Sequence, residues 1–281
     1  ARPKQWAKNV LVFAAPGAAG VLTEATPLLE ALVIFVAFCL ASAGTYYWND
    51  ILDVEADRVH VKKRFRPIAS GAVPLGVARV VGVALLAAGI GLSFTTRWQA
   101  GVACIVYIVL TSTYSAIWKH IAVVDLIAVA SGFVIRAIAG AAATAVPMSS
   151  WFLLVTSFGA LFIVTGKRYA ELREHGESPS AARATLNDYS LGFLRIVLSV
   201  SCGATLVAYC IWAFEAADLA GAEWPLYQLS IVPMLAALLR YLLILEQGHG
   251  AAPEEIFIAD RTLQVLGLVW VVIFGLAVYV N

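Results

Sequence analysis

Residues 28–57 of the chain read LLEALVIFVAFCLASAGTYYWNDILDVEAD. A helix that crosses a membrane needs roughly 17 to 25 mainly apolar residues, and residues 28–50 meet that requirement. The apolar run ends in three closely spaced aspartates, Asp50, Asp53 and Asp57. The stretch therefore predicts a membrane-spanning helix with a carboxylate-rich end.

The three aspartates share one face of such a helix. At about 100° per residue they fall within roughly 60° of one another. Asn49 lies on the flank of this face, and Glu55 points away. Clustered carboxylates repel one another unless a cation lies among them, and Mg2+ prefers such hard oxygen ligands together with substrate phosphates. The spacing predicts a catalytic Mg2+–diphosphate site built from Asp50, Asp53, Asp57 and Asn49, and the alternative is a solvated polar helix end.

The composition of the whole chain agrees with a membrane protein. Its 281 residues are 61% hydrophobic and only 13% charged, with a mean hydropathy of +0.85, which does not describe a water-soluble surface. A formal net charge of +1 indicates neither a nucleic-acid partner nor an acidic one. The four cysteines all fall in apolar runs without close pairing, which argues against a disulfide framework and against a thiolate zinc site.

Counting the apolar stretches predicts an all-α, polytopic membrane helix bundle of about nine transmembrane helices. The first stretch is short and contains Pro16, so a total of eight or nine is expected. No soluble domain is evident, and residues 1–281 are expected to form a single transmembrane domain. The predicted spans lie near residues 9–22, 28–50, 76–94, 98–118, 121–143, 150–170, 190–214, 227–246 and 262–280.

The distribution of basic residues predicts the orientation of these spans. With nine spans and a cytoplasmic N-terminus, most lysines and arginines between spans fall on the cytoplasmic side, and the opposite loops keep little beyond Arg97. This asymmetry follows the positive-inside rule. The active site is therefore expected to face the cytoplasm.

A basic loop follows the aspartates. Arg58 comes directly after Asp57, and residues 62–71 read KKRFRPIASG. Cations beside a metal–carboxylate cluster are expected when both hold one polyanionic ligand. A basic cytoplasmic loop is also what membrane topology alone requires, so the two interpretations stay open. The candidates for the diphosphate are Arg58, Lys62, Lys63 and Arg66.

Three motifs resemble those of the UbiA-type prenyltransferases. Residues 49–57 fit N-D-x-x-D-x-x-x-D, residues 66–71 fit R-P-x-x-S-G, and Tyr114, Ser115 and Lys119 fit Y-S-x-x-x-K. The resemblance covers essentially the whole chain. It implies a helical bundle with a lateral, lipid-facing tunnel, in which Mg2+ holds a diphosphate and Lys119 contributes to substrate binding.

The chain departs from ordinary members of that family at the second acidic motif. Where a form such as D-x-x-x-D is usual, residues 166–174 read GKRYAELRE. Residues 2–9, which fit R-P-x-Q-W-x-K-N, and the K-R-x-x-E-L run at 167–172 resemble one branch of the family. That branch comprises the decaprenyl-phosphate phosphoribosyltransferases of mycobacteria and their relatives.

The resemblance to this branch implies a donor, an acceptor and a product. The donor is 5-phosphoribosyl 1-diphosphate, the acceptor is decaprenyl phosphate, and the products are decaprenylphosphoryl 5-phosphoribose, a precursor for cell-wall arabinan, and diphosphate. The alternative is transfer of a polyprenyl group from its diphosphate to an aromatic acceptor. Transport is disfavoured because the charges crowd at one predicted face of the membrane. The resemblance leaves homo-oligomerisation open.

Further candidates lie outside the aspartate motif. Cations at positions 167 and 168, with a nearby glutamate, are expected to hold the ribose 5-phosphate or the acceptor phosphate. The pair at positions 8 and 9 could reach the lipid phosphate, although a snorkelling lysine explains it as well. A tyrosine at position 189 is either a lid residue or an interfacial aromatic. These candidates are Lys167, Arg168, Glu171, Lys8, Asn9 and Tyr189.

One arginine falls inside an apolar run. Arg136 lies between Phe133 and Ala139, and an intramembrane arginine is costly enough to require a partner. Asp125, about three helical turns earlier, is one candidate. A structural ion pair and a phosphate contact are weighed equally.

Overall fold

The computed structural model describes residues 3–61, 63–175, 184–248 and 253–280, and all regular structure in these ranges is helical. This confirms the all-α class. The α-helices are α1 (Ala14–Ala18), α2 (Ala25–Leu52), α3 (Val54–Val59), α4 (Leu75–Phe94), α5 (Trp98–Ala116), α6 (Val124–Ala143), α7 (Ser150–His175), α8 (Leu191–Ala220), α9 (Leu226–Leu229), α10 (Ile231–Gln247), α11 (Pro253–Ala259) and α12 (Arg261–Tyr279).

Eight stretches in the described ranges are long and apolar enough to cross a membrane. These are Ala25–Leu52, Leu75–Phe94, Trp98–Ala116, Val124–Ala143, Ser150–Glu174, Leu191–Ala220, Leu226–Gln247 and Arg261–Tyr279. They correspond to the second through ninth predicted spans. The expected total of eight or nine is therefore consistent with the structure.

The first predicted span has a different form. Residues Pro3–Phe13 form a 3₁₀ helix that continues into the short helix α1. Because a 3₁₀ helix rises about 2.0 Å per residue, its eleven residues reach farther than an α-helix of the same length. Gly20 then adopts a left-handed conformation with φ of 74°, and the chain turns into α2.

The described chain divides into two compact units. The first comprises residues 1–119 and 132–148, and the second comprises residues 120–131 and 149–281. The prediction of one continuous domain remains a proposal.

The core of the first unit forms where α2, α5, α6 and the N-terminal 3₁₀ helix meet. Phe38 and Tyr107 pack with ring centroids 5.2 Å apart, surrounded by Val12, Ile34 and small residues. A Cβ at Gly140 would lie 1.8 Å from the carbonyl oxygen of Val12. Only glycine therefore allows the N-terminal segment to approach α6 this closely.

The second unit is stabilised by aromatic packing and by capped helix ends. Trp270 Nε1 donates to Tyr209 Oη at 2.8 Å, and the Tyr209 hydroxyl shares a 2.7 Å hydrogen bond with Ser230. The side chain of Asp260 caps α12 by accepting from Leu263 N, and it pairs with Arg240 at 2.7 Å. These contacts tie α8, α10 and α12 together.

Candidate active site

The predicted aspartate face extends across a helix junction. Helix α2 ends at Leu52, and α3 begins at Val54. Asp53 N donates to Asn49 O at 3.0 Å, and Asp57 N donates to Asp53 O at 2.8 Å, so the i to i−4 pattern of hydrogen bonds crosses the junction. The aspartates therefore keep nearly helical spacing although the helix is interrupted at Asp53.

Arg66 joins the two ends of this face. Its Nη1 donates to Asp57 Oδ2 at 2.6 Å and to Asp50 Oδ1 at 3.1 Å. In a straight helix, residues seven positions apart are separated by about 10.5 Å along the axis. A single guanidinium nitrogen nevertheless contacts both carboxylates, so the two side chains lean toward each other.

Lys119 is a second cation, besides Arg66, that contacts the aspartates. It lies in the 3₁₀ turn Trp118–His120 that follows α5, and its Nζ donates to Asp53 Oδ1 at 2.8 Å. The structure thus brings the predicted Lys119 to the predicted acidic face. The sequence alone had linked them only through the family motif, because 66 residues separate Lys119 from Asp53.

The carboxylates contact cations rather than gathering around one point. Among the described residues, no group of three or more His, Cys, Asp or Glu side chains is arranged as a metal site. Asp57 is buried against Arg66, whereas the side chains of Asp50 and Asp53 are 14% and 29% exposed. The oxygen donors fit a divalent cation chemically, provided that Arg66 and Lys119 transfer their contacts to the phosphates of a ligand.

The other basic candidates occupy less central positions. Arg58 donates to Glu55 Oε1 at 2.8 Å and to the carbonyl of Ala69 at 3.4 Å. Lys63 is exposed at the start of a 3₁₀ turn. Lys62 lies outside the described residues. Among the described residues of this loop, Arg66 is seen in contact with both Asp50 and Asp57.

The second unit contains a separate, buried charge cluster. Arg168 Nε donates to Asp125 Oδ2 at 3.1 Å, and Arg168 Nη1 donates to Glu171 Oε2 at 2.7 Å. Arg168 and Asp125 are both almost fully buried. Lys167 is only half-buried. The guanidinium of Arg168 is therefore fixed by two carboxylates.

Tyr189 is anchored in the same cluster. Its hydroxyl donates to Asp125 Oδ1 and accepts a 2.6 Å hydrogen bond from Val123 N. Burial, with a further contribution from the hydrogen bond to Asp125, raises the pKa of Tyr189 above its ordinary value. The side chain is buried and hydrogen-bonded on both sides, and its expected role as a lid residue or an interfacial aromatic stays a prediction.

Val123, one of these contacts, has an uncommon backbone conformation. Its φ is 69°, in the left-handed region that a β-branched residue rarely adopts. The hydroxyl of Tyr189 satisfies the amide that this conformation presents. The turn before α6 is thus held in place by the residue that precedes α8.

Arg136 is embedded in a polar network inside the first unit. Nε donates to Asn9 Oδ1 at 2.7 Å, Nη2 donates to Tyr107 Oη at 2.9 Å, and Nη1 donates to Gly132 O at 2.6 Å. The proposed ion pair with Asp125 is therefore corrected: Asp125 pairs with Arg168, and Arg136 contacts neutral acceptors.

Asn9 lies in the interior of the first unit. Its side chain is fully buried, and its Nδ2 donates to Cys39 Sγ at 3.3 Å. Ser42 donates to Asn9 Oδ1 at 3.4 Å and shares a 3.1 Å hydrogen bond with Tyr107. Lys8 is half-buried beside it. Asn9 thus belongs to the network of Arg136.

Ser42 and Tyr107 were not predicted from the sequence as members of this network. Both lie in apolar runs, where a hydroxyl usually bonds locally to the helix backbone. The available signal was Arg136 itself, since an intramembrane arginine requires acceptors from neighbouring helices.

Sequence comparison identifies a matching family and close relatives. Residues 10–279 match the profile of the UbiA prenyltransferase family. The chain is 44% identical to the decaprenyl-phosphate phosphoribosyltransferase of Corynebacterium glutamicum, covering 99% of this chain and 85% of the relative. It is 42% identical to the decaprenyl-phosphate phosphoribosyltransferase of Mycobacterium tuberculosis, covering 99% of this chain and 92% of the relative.

Comparison with solved structures finds the same architecture. A UbiA homologue from Archaeoglobus fulgidus, bound to GPP and Mg2+, superposes with a TM-score of 0.71 at 18% sequence identity. The match covers 99% of this chain and 96% of that chain. At this level of identity the likeness concerns the fold alone.

Proposed function

Because the chain belongs to the UbiA prenyltransferase family, we propose that it is a membrane enzyme that transfers a 5-phosphoribosyl group to decaprenyl phosphate. The donor is 5-phosphoribosyl 1-diphosphate, and the products are decaprenylphosphoryl 5-phosphoribose and diphosphate. The observation that carries the proposal is the 42–44% identity to enzymes of this name across 99% of the chain.

The reaction breaks the bond between C1 of the ribose and the diphosphate oxygen. The bonding electron pair leaves with the diphosphate, positive charge develops on the ribose, and an oxygen of the acceptor phosphate forms the new bond to C1. Stabilisation of the leaving group is the main requirement. Arg66 and Lys119 are suited to this task because each can exchange an aspartate contact for a phosphate oxygen.

The acidic face is the proposed metal site. Asp50 and Asp53, with Asp57 and Asn49, would hold Mg2+, which when bound neutralises charge on the departing diphosphate. Asp50 and Asp53 are the more accessible of these carboxylates. Arg58, Lys62 and Lys63 would contact the outer phosphate oxygens.

Acceptor activation requires no strong base, because a phosphate monoester is already an anion at neutral pH. Lys167 is the more accessible cation of the K-R pair and is proposed to bind a phosphate group of one of the substrates. Arg168, buried between Asp125 and Glu171, contributes by fixing the end of α7 next to Lys167. Tyr189 supports the same cluster.

The family and the charge distribution support a proposed cellular setting. We place the active site at the cytoplasmic side of a bacterial plasma membrane, within one UbiA-type domain. The product would supply arabinose units for cell-wall polysaccharides. A homo-oligomer is compatible with this arrangement.

The second candidate function is transfer of a polyprenyl group to an aromatic acceptor, which the family supports as a broad class. The residues near the end of α7 argue against it. Near the end of α7, where ordinary members carry a second aspartate motif, this chain has Lys167 and a partly buried salt bridge between Arg168 and Glu171. A second metal-bound diphosphate site is disfavoured there.

A double-label experiment separates the two reactions. Purified protein in lipid nanodiscs receives Mg2+, decaprenyl phosphate and donor that carries 14C in the ribose and 32P in the β-phosphate. The expected result is 14C in the lipid phase and 32P in aqueous diphosphate. If 14C stays aqueous while a polyprenyl diphosphate and 4-hydroxybenzoate react, the second function replaces the first.

A further inference from the structure

Arg136 places a positive charge in the apolar part of a membrane-spanning helix. It lies within α6, and the residue is only 7% exposed. A guanidinium has five N–H donors. Its three hydrogen-bond acceptors among the described residues are an amide oxygen, a phenol oxygen and a backbone carbonyl.

These acceptors orient the guanidinium without neutralising it. Among the salt bridges of the described residues, none includes Arg136. An isolated charge at membrane depth is costly unless an opposite charge accompanies it, and such residues usually mark ligand pathways. By contrast, Arg240, which also lies within a spanning helix, pairs with Asp260 at 2.7 Å.

The network around Arg136 is built from separate elements of the first unit. Asn9 comes from the N-terminal 3₁₀ helix, Ser42 from α2 and Tyr107 from α5. The ring of Tyr107 also lies under the guanidinium, 4.5 Å from Cζ to the ring centroid. The guanidinium is therefore held from several sides, as expected of a preorganised binding group.

Helix α2 relates this network to the aspartates. Cys39 and Ser42, the α2 residues that contact Asn9, precede Asp50 and Asp53 by eleven residues each. Eleven residues are three helical turns, so each pair shares a face and is separated by about 16 Å along the axis. The Arg136 network thus lies deeper than the acidic cluster, along the same face of α2.

We infer that Arg136, held by Asn9 and Tyr107, is the binding site for the phosphate monoester head of the polyprenyl acceptor. This inference rests on the proposed function and assigns its second substrate. When the donor binds with its diphosphate at Asp50 and Asp53, its diphosphate and ribose would occupy the distance along α2 between these aspartates and Arg136. The acceptor phosphate then reaches C1 from the membrane side, where its polyprenyl chain lies in the apolar phase.

Thermal stability of the purified protein in detergent tests this site without turnover. Decaprenyl phosphate, added without donor, should raise the melting temperature of the wild type, and decaprenol, which lacks the phosphate, should not. In Arg136→Gln, the affinity for decaprenyl phosphate derived from this shift should fall by at least about tenfold. Arg136→Lys keeps the charge but loses the forked geometry of the guanidinium. Its affinity for decaprenyl phosphate should lie between those of the wild type and Arg136→Gln.

Arg240→Gln is the matched control, because it removes a paired arginine from another spanning helix. It should lower the melting temperature of the protein but keep the wild-type response to decaprenyl phosphate.

Ribose 5-phosphate and inorganic phosphate test whether a soluble phosphate is the ligand. If they protect the wild type in an Arg136-dependent manner and decaprenyl phosphate does not, the lipid assignment is overturned.

The two proposals fail differently. A wild type that transfers label, together with Arg136→Gln that binds decaprenyl phosphate normally, overturns the site and leaves the function intact. A wild type that transfers no phosphoribosyl label overturns the function.

If Arg136→Gln does not fold, wild-type protein is labelled with a polyprenyl phosphate that carries a photoreactive group beside the phosphate. Adducts on α5 or α6 near Arg136 support the site, and adducts confined to other helices overturn it.

Discussion

Two clusters of charge among the described residues differ in how far their aspartates and cations are buried. In the first unit, the side chains of Asp53 and Lys119 are 29% and 24% exposed. In the second unit, those of Asp125 and Arg168 are 1% and 4% exposed. Partly exposed pairs are weaker and exchange more readily with ligands, whereas a fully buried pair is costly to break. The first cluster is therefore suited to binding and releasing a polyanion, and the second is suited to stabilising the fold.

The largest expected effect is on activity in the first, partly exposed cluster. Asp53→Asn, and likewise Asp50→Asn, should lower phosphoribosyl transfer by roughly 10²–10³-fold, the loss typical when one electrostatic contact to developing charge is removed. The melting temperature should change little, because the side chains are partly exposed. Glu55→Gln, which alters an exposed carboxylate on the other face of the same segment, should remain active.

The buried cluster should respond in the opposite sense. Asp125→Asn removes the fully buried carboxylate of the Arg168 pair and leaves the contact with Glu171, so the free energy of unfolding should fall by up to about 3–5 kcal/mol. Chemical denaturation of the purified protein measures this change. A loss of transfer activity with unchanged stability would show that Asp125 acts in the chemistry and would remove the contrast between the two clusters.

Tyr189 offers a pH test of the buried cluster. Its folded-state pKa is raised above the unfolded value, so the proton on its hydroxyl is held more tightly in the folded protein. The corresponding stability is fully present below about pH 10, the unfolded value, and is lost as the pH rises toward the folded pKa. Tyr189→Phe should lose about 1–3 kcal/mol at neutral pH. Between pH 9.5 and 11 its stability should also decline less steeply than that of the wild type.

The smallest effect is expected at the exposed pair of Arg58 and Glu55. Because both side chains are largely exposed, Arg58→Gln should change the free energy of unfolding by less than about 1 kcal/mol. Any change in the KM for the donor would then report contact with phosphate. A large loss of stability would mean that the contact of Arg58 with the Ala69 carbonyl fixes the loop.

Periodicity explains which features could be predicted from the sequence. The eight spanning helices follow from apolar runs of sufficient length, and the shared face of Asp50, Asp53 and Asp57 follows from helical spacing. The N-terminal 3₁₀ helix could not be predicted in this way, because its form depends on close packing against Gly140.

The partners of the charged side chains were harder to predict. Arg66 reaches Asp50 across sixteen residues, and Arg168 reaches Asp125 across 43. Such pairings depend on tertiary packing and leave no local pattern. The neutral partners of Arg136 were hidden for a further reason, since a tyrosine and a serine in apolar helices resemble ordinary packing residues. Asn9 was recognised as a candidate, but its burial could not be inferred from its place near the start of the chain.

A structure of the protein with Mg2+ and 5-phosphoribosyl 1-diphosphate tests the central claim most directly. We predict density for the diphosphate beside Asp50 and Asp53, with Arg66 and Lys119 moved from the carboxylates to phosphate oxygens, and with the bond between Arg168 and Asp125 unchanged. Donor density away from Asp50 and Asp53, with the pairs of Arg66 and Lys119 intact, would contradict the account.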